Sequence, residues 1–115
     1  EATSLANKVL ESSQTQGYRS HTALSLYVLA ESLLHADVSD MAKAEDHYDR
    51  AMALANELRM RPLVAHCHVG LGKLYQRDGD LQQAKAHLTN GVALMREMGM
   101  GVWLERAEAE LKELG

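Results

Sequence analysis

The chain repeats itself at an interval of about 40 residues. When residues 40–60 are laid on residues 80–100, seven of 21 positions are identical. Upstream of each block, a second set of identities appears at an interval of 42 residues. The identical pairs are Asp40/Asp80, Ala44/Ala84, His47/His87, Ala53/Ala93, Leu54/Leu94, Glu57/Glu97 and Met60/Met100 in the first set, and Arg19/Arg61, Ala23/Ala65 and Leu29/Leu71 in the second. Self-similarity at a fixed period of about 20 to 50 residues is typical of proteins whose helical units stack into a solenoid.

Each repeat contains two stretches in which apolar residues recur every three or four positions, which is the spacing of an amphipathic helix. The predicted helices A and B span about 20–36 and 40–58 in the first repeat, and about 62–77 and 80–98 in the second. Pro62 suits the first turn of a helix, Asp80 suits an N-cap, and Gly99 suits a helix end. The sequence therefore predicts a pair of antiparallel helices in each repeat.

The flanking residues continue the helical pattern. The stretch before Gly17 predicts the B helix of a preceding repeat, and the stretch from Val102 to Leu114 predicts a following A helix or a cap. We therefore expect an all-α fold of about six helices, cut from a longer array. The predicted organisation is one helical-repeat domain (1–115), comprising helix B of a preceding repeat (1–17), repeat one (18–58), repeat two (59–99) and the following A helix or cap (100–115).

The composition agrees with an all-α chain and limits its function. Leu and Ala make up 34 of the 115 residues, whereas the β-branched and aromatic residues that strands favour are scarce. A formal net charge of -4 provides no excess of positive charge with which to bind nucleic acid or an anionic membrane. The lone Cys67 excludes an internal disulfide and a multi-cysteine metal cage. Because no apolar stretch is long enough to span a membrane and no signal-peptide pattern is present, we expect a cytoplasmic protein.

The second repeat resembles the tetratricopeptide repeat (TPR) signature. The matching residues are the Leu71-Gly72-x-x-Tyr75 run, Ala84, Leu88 and Gly91, and the first repeat offers a degenerate copy in Leu29, Ala30, Leu33, Ala44, Tyr48 and Ala51. Gly72 and Ala84 are small where helices A and B cross. Tyr75 and Leu88 are large enough to fill the space between helix layers. The resemblance implies an α-solenoid of antiparallel helix pairs.

Two features depart from the usual TPR pattern. His68 and Leu26 stand where the family usually has Trp, and the repeat of 40 to 42 residues exceeds the usual length of about 34. The longer repeat resembles those of large bacterial signalling proteins. In particular, the run that begins with Pro62 to His68 and continues through Trp103 to Glu105 is similar to the C-terminal arrays of bacterial adenylate/guanylate cyclase-like proteins that carry an ATPase module.

The TPR resemblance implies a protein–protein interaction scaffold, because stacked repeats present their A helices along one concave wall. The implied wall residues are Leu24, Tyr27, Glu31, Leu34 and His35 in the first repeat, His66, Val69, Lys73, Gln76 and Arg77 in the second, and Arg106, Ala109 and Glu113 in the last helix. An apolar part beside a mildly basic part suits a peptide with one apolar anchor and an acidic flank. The partner is another protein or another domain of the same chain. The Lys/Asn clamp of some TPR domains is not matched, because Tyr27 and Glu31 occupy two of its positions.

A ligand-sensing regulatory array is the alternative function. A small molecule in the wall would then control a linked ATPase, cyclase or DNA-binding module. The candidate polar groups for such a ligand are Tyr27, Glu31, His66, Lys73 and Arg77. An enzyme is not predicted, because the Ser, His and Asp residues are scattered over helices without a nucleophile elbow. No cofactor is predicted either.

Two local patterns have a structural interpretation. The run 70–73 lacks the upstream Gly and the following Ser or Thr of a phosphate-binding loop, so its glycines are predicted to let helices cross. In the run 66–68, the two imidazoles point about 200° apart on a helix, so no metal site is predicted. His47 and His87 occupy equivalent positions and are expected to pack between helices.

Self-association is a separate prediction. A fragment that starts on a B helix and ends on an A helix leaves two helix faces that a full solenoid would cover, and uncapped repeats tend to associate. The candidate exposed residues are Leu5, Val9 and Leu10 at one end and Trp103 and Leu111 at the other.

Overall fold

The computed structural model describes residues 19–36 and 41–114. The helices in these residues are α1 (Arg19–His35), α2 (Met41–Glu57), α3 (Arg61–Asp78), α4 (Leu81–Met98) and α5 (Gly101–Glu113). No strand occurs in the described residues. The helices lie within about one residue of the predicted bounds, so the all-α prediction is confirmed. The predicted B helix at 1–17, with its apolar residues Leu5, Val9 and Leu10, lies outside the described residues.

The chain divides into two compact units between Met60 and Arg61. The first unit contains the pair α1 and α2, and the second contains α3, α4 and α5. In each unit, the first residue of the A helix forms an ion pair with the last turn of the B helix. Because the start of one helix meets the end of the next, each pair is antiparallel.

The first pair packs around Tyr48, which is fully buried in α2. The Tyr48 hydroxyl donates a hydrogen bond to the carboxylate of Glu31 on α1. The Tyr27 ring lies edge-on to the Tyr48 ring with 6.1 Å between centroids. Small residues on α2 let α1 approach closely, since Ala44, Ala51 and Ala55 have almost no exposed surface. The other buried apolar residues of this pair are Ala23, Leu26, Leu29, Ala30 and Leu34.

The second pair crosses at Gly72, as the sequence predicts. A Cβ atom at Gly72 would lie 2.6 Å from Leu88 Cγ and 3.2 Å from the carbonyl oxygen of Ala84. The glycine therefore allows a helix contact that any larger residue would obstruct. Gly91 on α4 has the same role, because its Cβ would lie 2.9 Å from Val69 Cγ2.

The turns of the second unit have the predicted chemistry. Gly79 has a φ of +87° and Gly99 a φ of +65°, a left-handed conformation that glycine adopts without a steric penalty. Asp80 caps α4, because its Oδ1 accepts a hydrogen bond from the backbone N–H of Gln83 at 3.1 Å. These residues fix where α3 ends and α4 begins and ends.

The last helix packs on the second pair through Ala107, which is 1% exposed. The buried cluster around it contains Ala65, Val92 and Met95, with Val69, Leu94, Met98, Met100, Leu104 and Leu111 packed against it. The sequence predicts Leu111 at an exposed end of the array, but its side chain is half-buried and packs partly against this cluster. Leu111 follows Ala107 by one helical turn, so both side chains face the same core.

An ion pair recurs at equivalent places in the two units. Arg19 Nη2 lies 2.6 Å from Glu57 Oε2 in the first, and Arg61 Nη2 lies 3.2 Å from Glu97 Oε1 in the second. The hydrogen bond and the charge of Arg19 lower the pKa of Glu57 below its ordinary value. All four side chains are exposed, and exposed pairs contribute little to stability because water and salt screen them.

We expect Glu97→Gln to lower the thermal unfolding midpoint only slightly. The effect should vanish at about 1 M NaCl, where the Debye length is about 3 Å. Thermal unfolding at low and high salt measures it, with Glu105→Gln as control, because Glu105 is exposed and forms no ion pair in the part of the chain that the structure describes. A loss of stability that persists at high salt would show that the pair acts by more than surface electrostatics.

Candidate partner-binding surface

The five wall residues predicted in the second repeat lie on one face of α3. We call this face the α3 stripe, and it consists of His66, Val69, Lys73, Gln76 and Arg77. Arg77 is exposed and the other four are half-buried, while the opposite face of α3 is buried against its unit. Val69 also packs against the buried cluster around Ala107. The groups best placed for a partner are therefore the polar side chains of Lys73, Gln76 and Arg77.

The corresponding residues of α1 form the α1 stripe, which consists of Leu24, Tyr27, Glu31, Leu34 and His35. Leu24 is 45% exposed, and its neighbour Val28 is 40% exposed. Leu34 is only 3% exposed, so it offers almost no surface to a partner. The reason is its spacing, since Leu34 follows the buried Ala30 by one helical turn and faces the same side. The exposed apolar surface on and beside this stripe thus comes from Leu24 and its neighbour Val28.

The carboxylate of Glu31 is already engaged within the first unit. It accepts the hydrogen bond from the buried Tyr48 hydroxyl, and its Oε1 lies 3.9 Å from Nε2 of His35. A charged side chain held by such contacts is positioned in advance but must give up part of them to bind a ligand. Glu31 therefore contributes more to the packing of α1 on α2 than its predicted wall position suggests.

Two predicted wall residues of the second unit meet at an aromatic ring. The His66 ring lies perpendicular to the Trp103 ring with 4.7 Å between centroids. Arg106 Cζ lies 5.2 Å from the Trp103 ring centroid, in a cation–π arrangement. We call these three residues the Trp103 cluster. The other two predicted wall residues of α5, Ala109 and Glu113, are both exposed.

Trp103 was not among the predicted wall residues. The sequence predicts it on the apolar stripe of the last helix and at an exposed end of the array. The structure places it one turn before the buried Ala107, beside α3, with 48% of its surface still exposed. The spacing of three residues between Trp103 and Arg106, which brings side chains together on a helix, was the available signal.

The family of the chain follows from a sequence comparison. The family model described as Tetratricopeptide repeat matches residues 32–97. This match covers more than half of the chain and includes α2, α3 and all but the last residue of α4. The chain belongs to the tetratricopeptide repeat family. No curated protein matches the chain significantly. TPR repeats generally mediate protein–protein interaction, and proteins of this family are generally non-catalytic scaffolds.

The second TPR unit contains a histidine pair at the helix crossing. His68, at the usual Trp position of the repeat, faces His87 with 3.1 Å between their Nδ1 atoms. The Tyr75 ring stacks on His87 with 5.5 Å between centroids. Burial lowers the pKa of His68 below its ordinary value, and the charge of His87 lowers it further. The neutral pair shares one hydrogen bond, in which one Nδ1 donates and the other accepts.

The first TPR unit lacks this pair, because Leu26 occupies the position equivalent to His68. The His47 Nδ1 atom is buried and has no hydrogen-bond partner. Burial lowers the pKa of His47, with a smaller contribution from the charge of Arg50. At equivalent positions, Nδ1 of His87 thus has a hydrogen-bond partner and Nδ1 of His47 has none.

The remaining chemical candidates are packing residues. Cys67 is fully buried, and its neighbours His66 and His68 contact Trp103 and His87 respectively, so their rings diverge as predicted. Within residues 19–36 and 41–114, no three His, Cys, Asp or Glu side chains are grouped closely enough to hold a metal ion. None of the described helices has the length and apolar character needed to cross a membrane.

Proposed function

We propose that this TPR domain binds a protein partner, either a peptide segment or a folded domain, through the outward faces of its A helices. The observation that carries the proposal is the α3 stripe. Arg77 is exposed and the half-buried Lys73 and Gln76 keep part of their surface open to solvent, although the opposite face of α3 is buried. Polar side chains on a rigid helix face can direct a partner without rearranging the fold.

The partner chemistry follows from the two stripes taken separately. In the first unit, Leu24 and Val28 expose apolar surface, which suits an apolar anchor. In the second unit, Lys73 and Arg77 supply positive charge, which suits an acidic flank. Buried apolar contacts provide most of the affinity of such interfaces, while charge fixes orientation and speeds association. We therefore propose that the first unit takes an apolar partner side chain and that the second takes an acidic one, each on its own stripe.

The wider context rests on the sequence resemblance. The repeat length of 40 to 42 residues is similar to that of arrays in large bacterial signalling proteins, so we propose a regulatory protein of the bacterial cytoplasm. The partner is then another protein or a further domain of the same chain. Self-association through exposed helix faces, with Trp103 as the described candidate, is the other proposed contact.

The test is capture of partners from a lysate of the source cells with matched charge reversals. We expect Lys73→Glu to lose partners that the wild type retains, whereas Lys85→Glu should keep them. Lys85 is exposed on α4 and forms no ion pair among the described residues, so its substitution breaks no ion pair there. Because both variants replace Lys with Glu, they change the net charge equally. Quantitative mass spectrometry measures the captured proteins, and circular dichroism checks that both variants fold.

Partners that bind the wild type, Lys73→Glu and Lys85→Glu equally would contradict partner binding through α3. The small-molecule alternative predicts a different result. A metabolite that raises the thermal midpoint of the wild type but not of Lys73→Glu would favour a ligand-sensing array, because bound ligand stabilises the folded state by mass action.

A further inference from the structure

We infer that Trp103 and Arg106 form the anchor point of the partner-binding surface, and that they take an extended partner segment with one carboxylate side chain next to an apolar side chain. This inference rests on the proposed function and specifies its chemistry. It assigns the carboxylate to the Arg106 guanidinium and the apolar side chain to the exposed surface of Trp103.

The position of Arg106 and its lack of an ion pair among the described residues suit it to bind a carboxylate. Its guanidinium lies over the Trp103 ring, and none of the ion pairs in residues 19–36 and 41–114 includes it. A guanidinium over an aromatic face uses its positive charge toward the ring and keeps N–H donors for other partners. The Arg106 guanidinium can therefore donate to a carboxylate, in a bidentate arrangement, while it stays over the ring.

Trp103 supplies apolar contact area on a rigid support. It is 48% exposed, although its helix is fixed by the buried Ala107 one turn later and its ring is in contact with His66. Aromatic residues held in this way lose little side-chain entropy on binding, and tryptophan and arginine are enriched among the residues that dominate interface energies. Val102, the preceding residue, adds further exposed apolar surface.

The charges around the cluster limit the partner to a single carboxylate. Helix α5 carries four carboxylates, Glu105, Glu108, Glu110 and Glu113, against the two cations Arg106 and Lys112. Only Glu108 is neutralised by an ion pair among the described residues, at 2.7 Å from Arg96. A strongly acidic segment would be repelled by the others, because like charges in one interface cost free energy. The complementary ligand therefore has one carboxylate at Arg106, with uncharged residues directly beside it along α5.

The experiment uses the intact chain and capped octapeptides in a glycine-serine frame. The peptides carry Leu-Glu, Leu-Gln, Ser-Glu or Glu-Glu-Glu at the centre. Trp103 is the only tryptophan of the chain, so its fluorescence reports binding at the proposed anchor directly. We expect the Leu-Glu peptide to bind at least about fivefold more tightly than each of the other three, which corresponds to about 1 kcal/mol.

Matched variants assign the effect to Arg106. Arg106→Gln should abolish the preference for Leu-Glu over Leu-Gln, whereas Lys112→Gln, which removes the same charge from the same helix, should preserve it. Arg106→Lys keeps the charge without the planar donors and should keep only part of the preference. Equal binding of Leu-Glu and Leu-Gln to the wild type, or no fluorescence change with any peptide up to about 5 mM, would overturn the inference.

Two further outcomes separate this inference from the proposed function. If fluorescence changes with protein concentration alone and sedimentation shows a dimer that Leu-Glu peptide does not dissociate, the occupant is a second copy of the chain and the inference fails. If captured cellular partners depend on Lys73 but bind Arg106→Gln normally, the proposed function stands and the anchor assignment is wrong.

Discussion

Gly72→Ala is expected to destabilise the second helix pair by about 1 to 2 kcal/mol, although alanine favours a helix over glycine by about 1 kcal/mol. The reason is the helix crossing. The added Cβ would lie 2.6 Å from Leu88 Cγ and 3.2 Å from the carbonyl oxygen of Ala84. Overpacking of this kind costs about 1 to 3 kcal/mol, and a backbone oxygen cannot move aside as a side chain end can. Gly72→Val should cost more, since it adds two further methyl groups at the same place.

Chemical unfolding measured by circular dichroism tests this prediction. Gly101→Ala is the matched control, because nothing lies within 4 Å of the position that its Cβ would occupy. We expect Gly101→Ala to be as stable as the wild type or slightly more stable. If Gly72→Ala is as stable as Gly101→Ala, then α3 and α4 do not approach as closely at Gly72 as the structure shows.

Substitution of the two equivalent histidines is expected to have effects of opposite sign. His47→Leu should raise the free energy of unfolding by about 1 kcal/mol, because it removes a buried nitrogen without a hydrogen-bond partner. His87→Leu should lower it by about 1 to 2 kcal/mol, because it leaves His68 Nδ1 without its partner and removes the ring that stacks on Tyr75. Urea unfolding at pH 7.5 measures both. Effects of the same sign would contradict the difference in hydrogen bonding between His47 and His87.

The same histidines make stability depend on pH. The folded-state pKa values of His47 and His68 are lowered, mainly by burial, relative to an unfolded value of about 6.5. Between the folded and unfolded values, the unfolded chain binds more protons, so acid favours unfolding. Their contribution to stability is fully present above about pH 6.5 and is lost as the pH falls through the folded-state values. The urea midpoint should therefore fall from pH 7.5 to pH 5.5, and His47→Leu should reduce that fall.

Much of the fold could be predicted from the sequence because local chemistry determines it. Helical periodicity placed the five described helices, and Asp80, Gly79 and Gly99 fixed the turns of the second unit. The repeat pattern predicts Gly72 as a crossing residue because it places a small residue on α3 opposite the large Leu88 on α4. These features depend on neighbours within one repeat, so a single sequence contains them.

The candidate surface was harder to predict, because periodicity identifies the face of a helix but not how far other helices cover it. Leu34 and Leu111 are predicted at exposed positions, yet each follows a buried alanine by one turn, so Leu34 is buried and Leu111 is half-buried. The contact of Trp103 with His66 joins α5 to α3, and no local spacing encodes it. The repeated ion pairs, in contrast, could have been inferred from the two registers that align Arg19 with Arg61 and Glu57 with Glu97.

The most direct measurement is a two-dimensional NMR titration of the chain with the Leu-Glu octapeptide. Binding on the outward face of the second unit should shift the indole N–H signal of Trp103 and the backbone amide signals of Lys73, Gln76 and Arg77. Signals from the exposed side of α4, such as those of Lys85 and Thr89, should stay in place. Shifts confined to Lys85, Thr89 and their neighbours on α4 would contradict a partner-binding surface on α3 and α5.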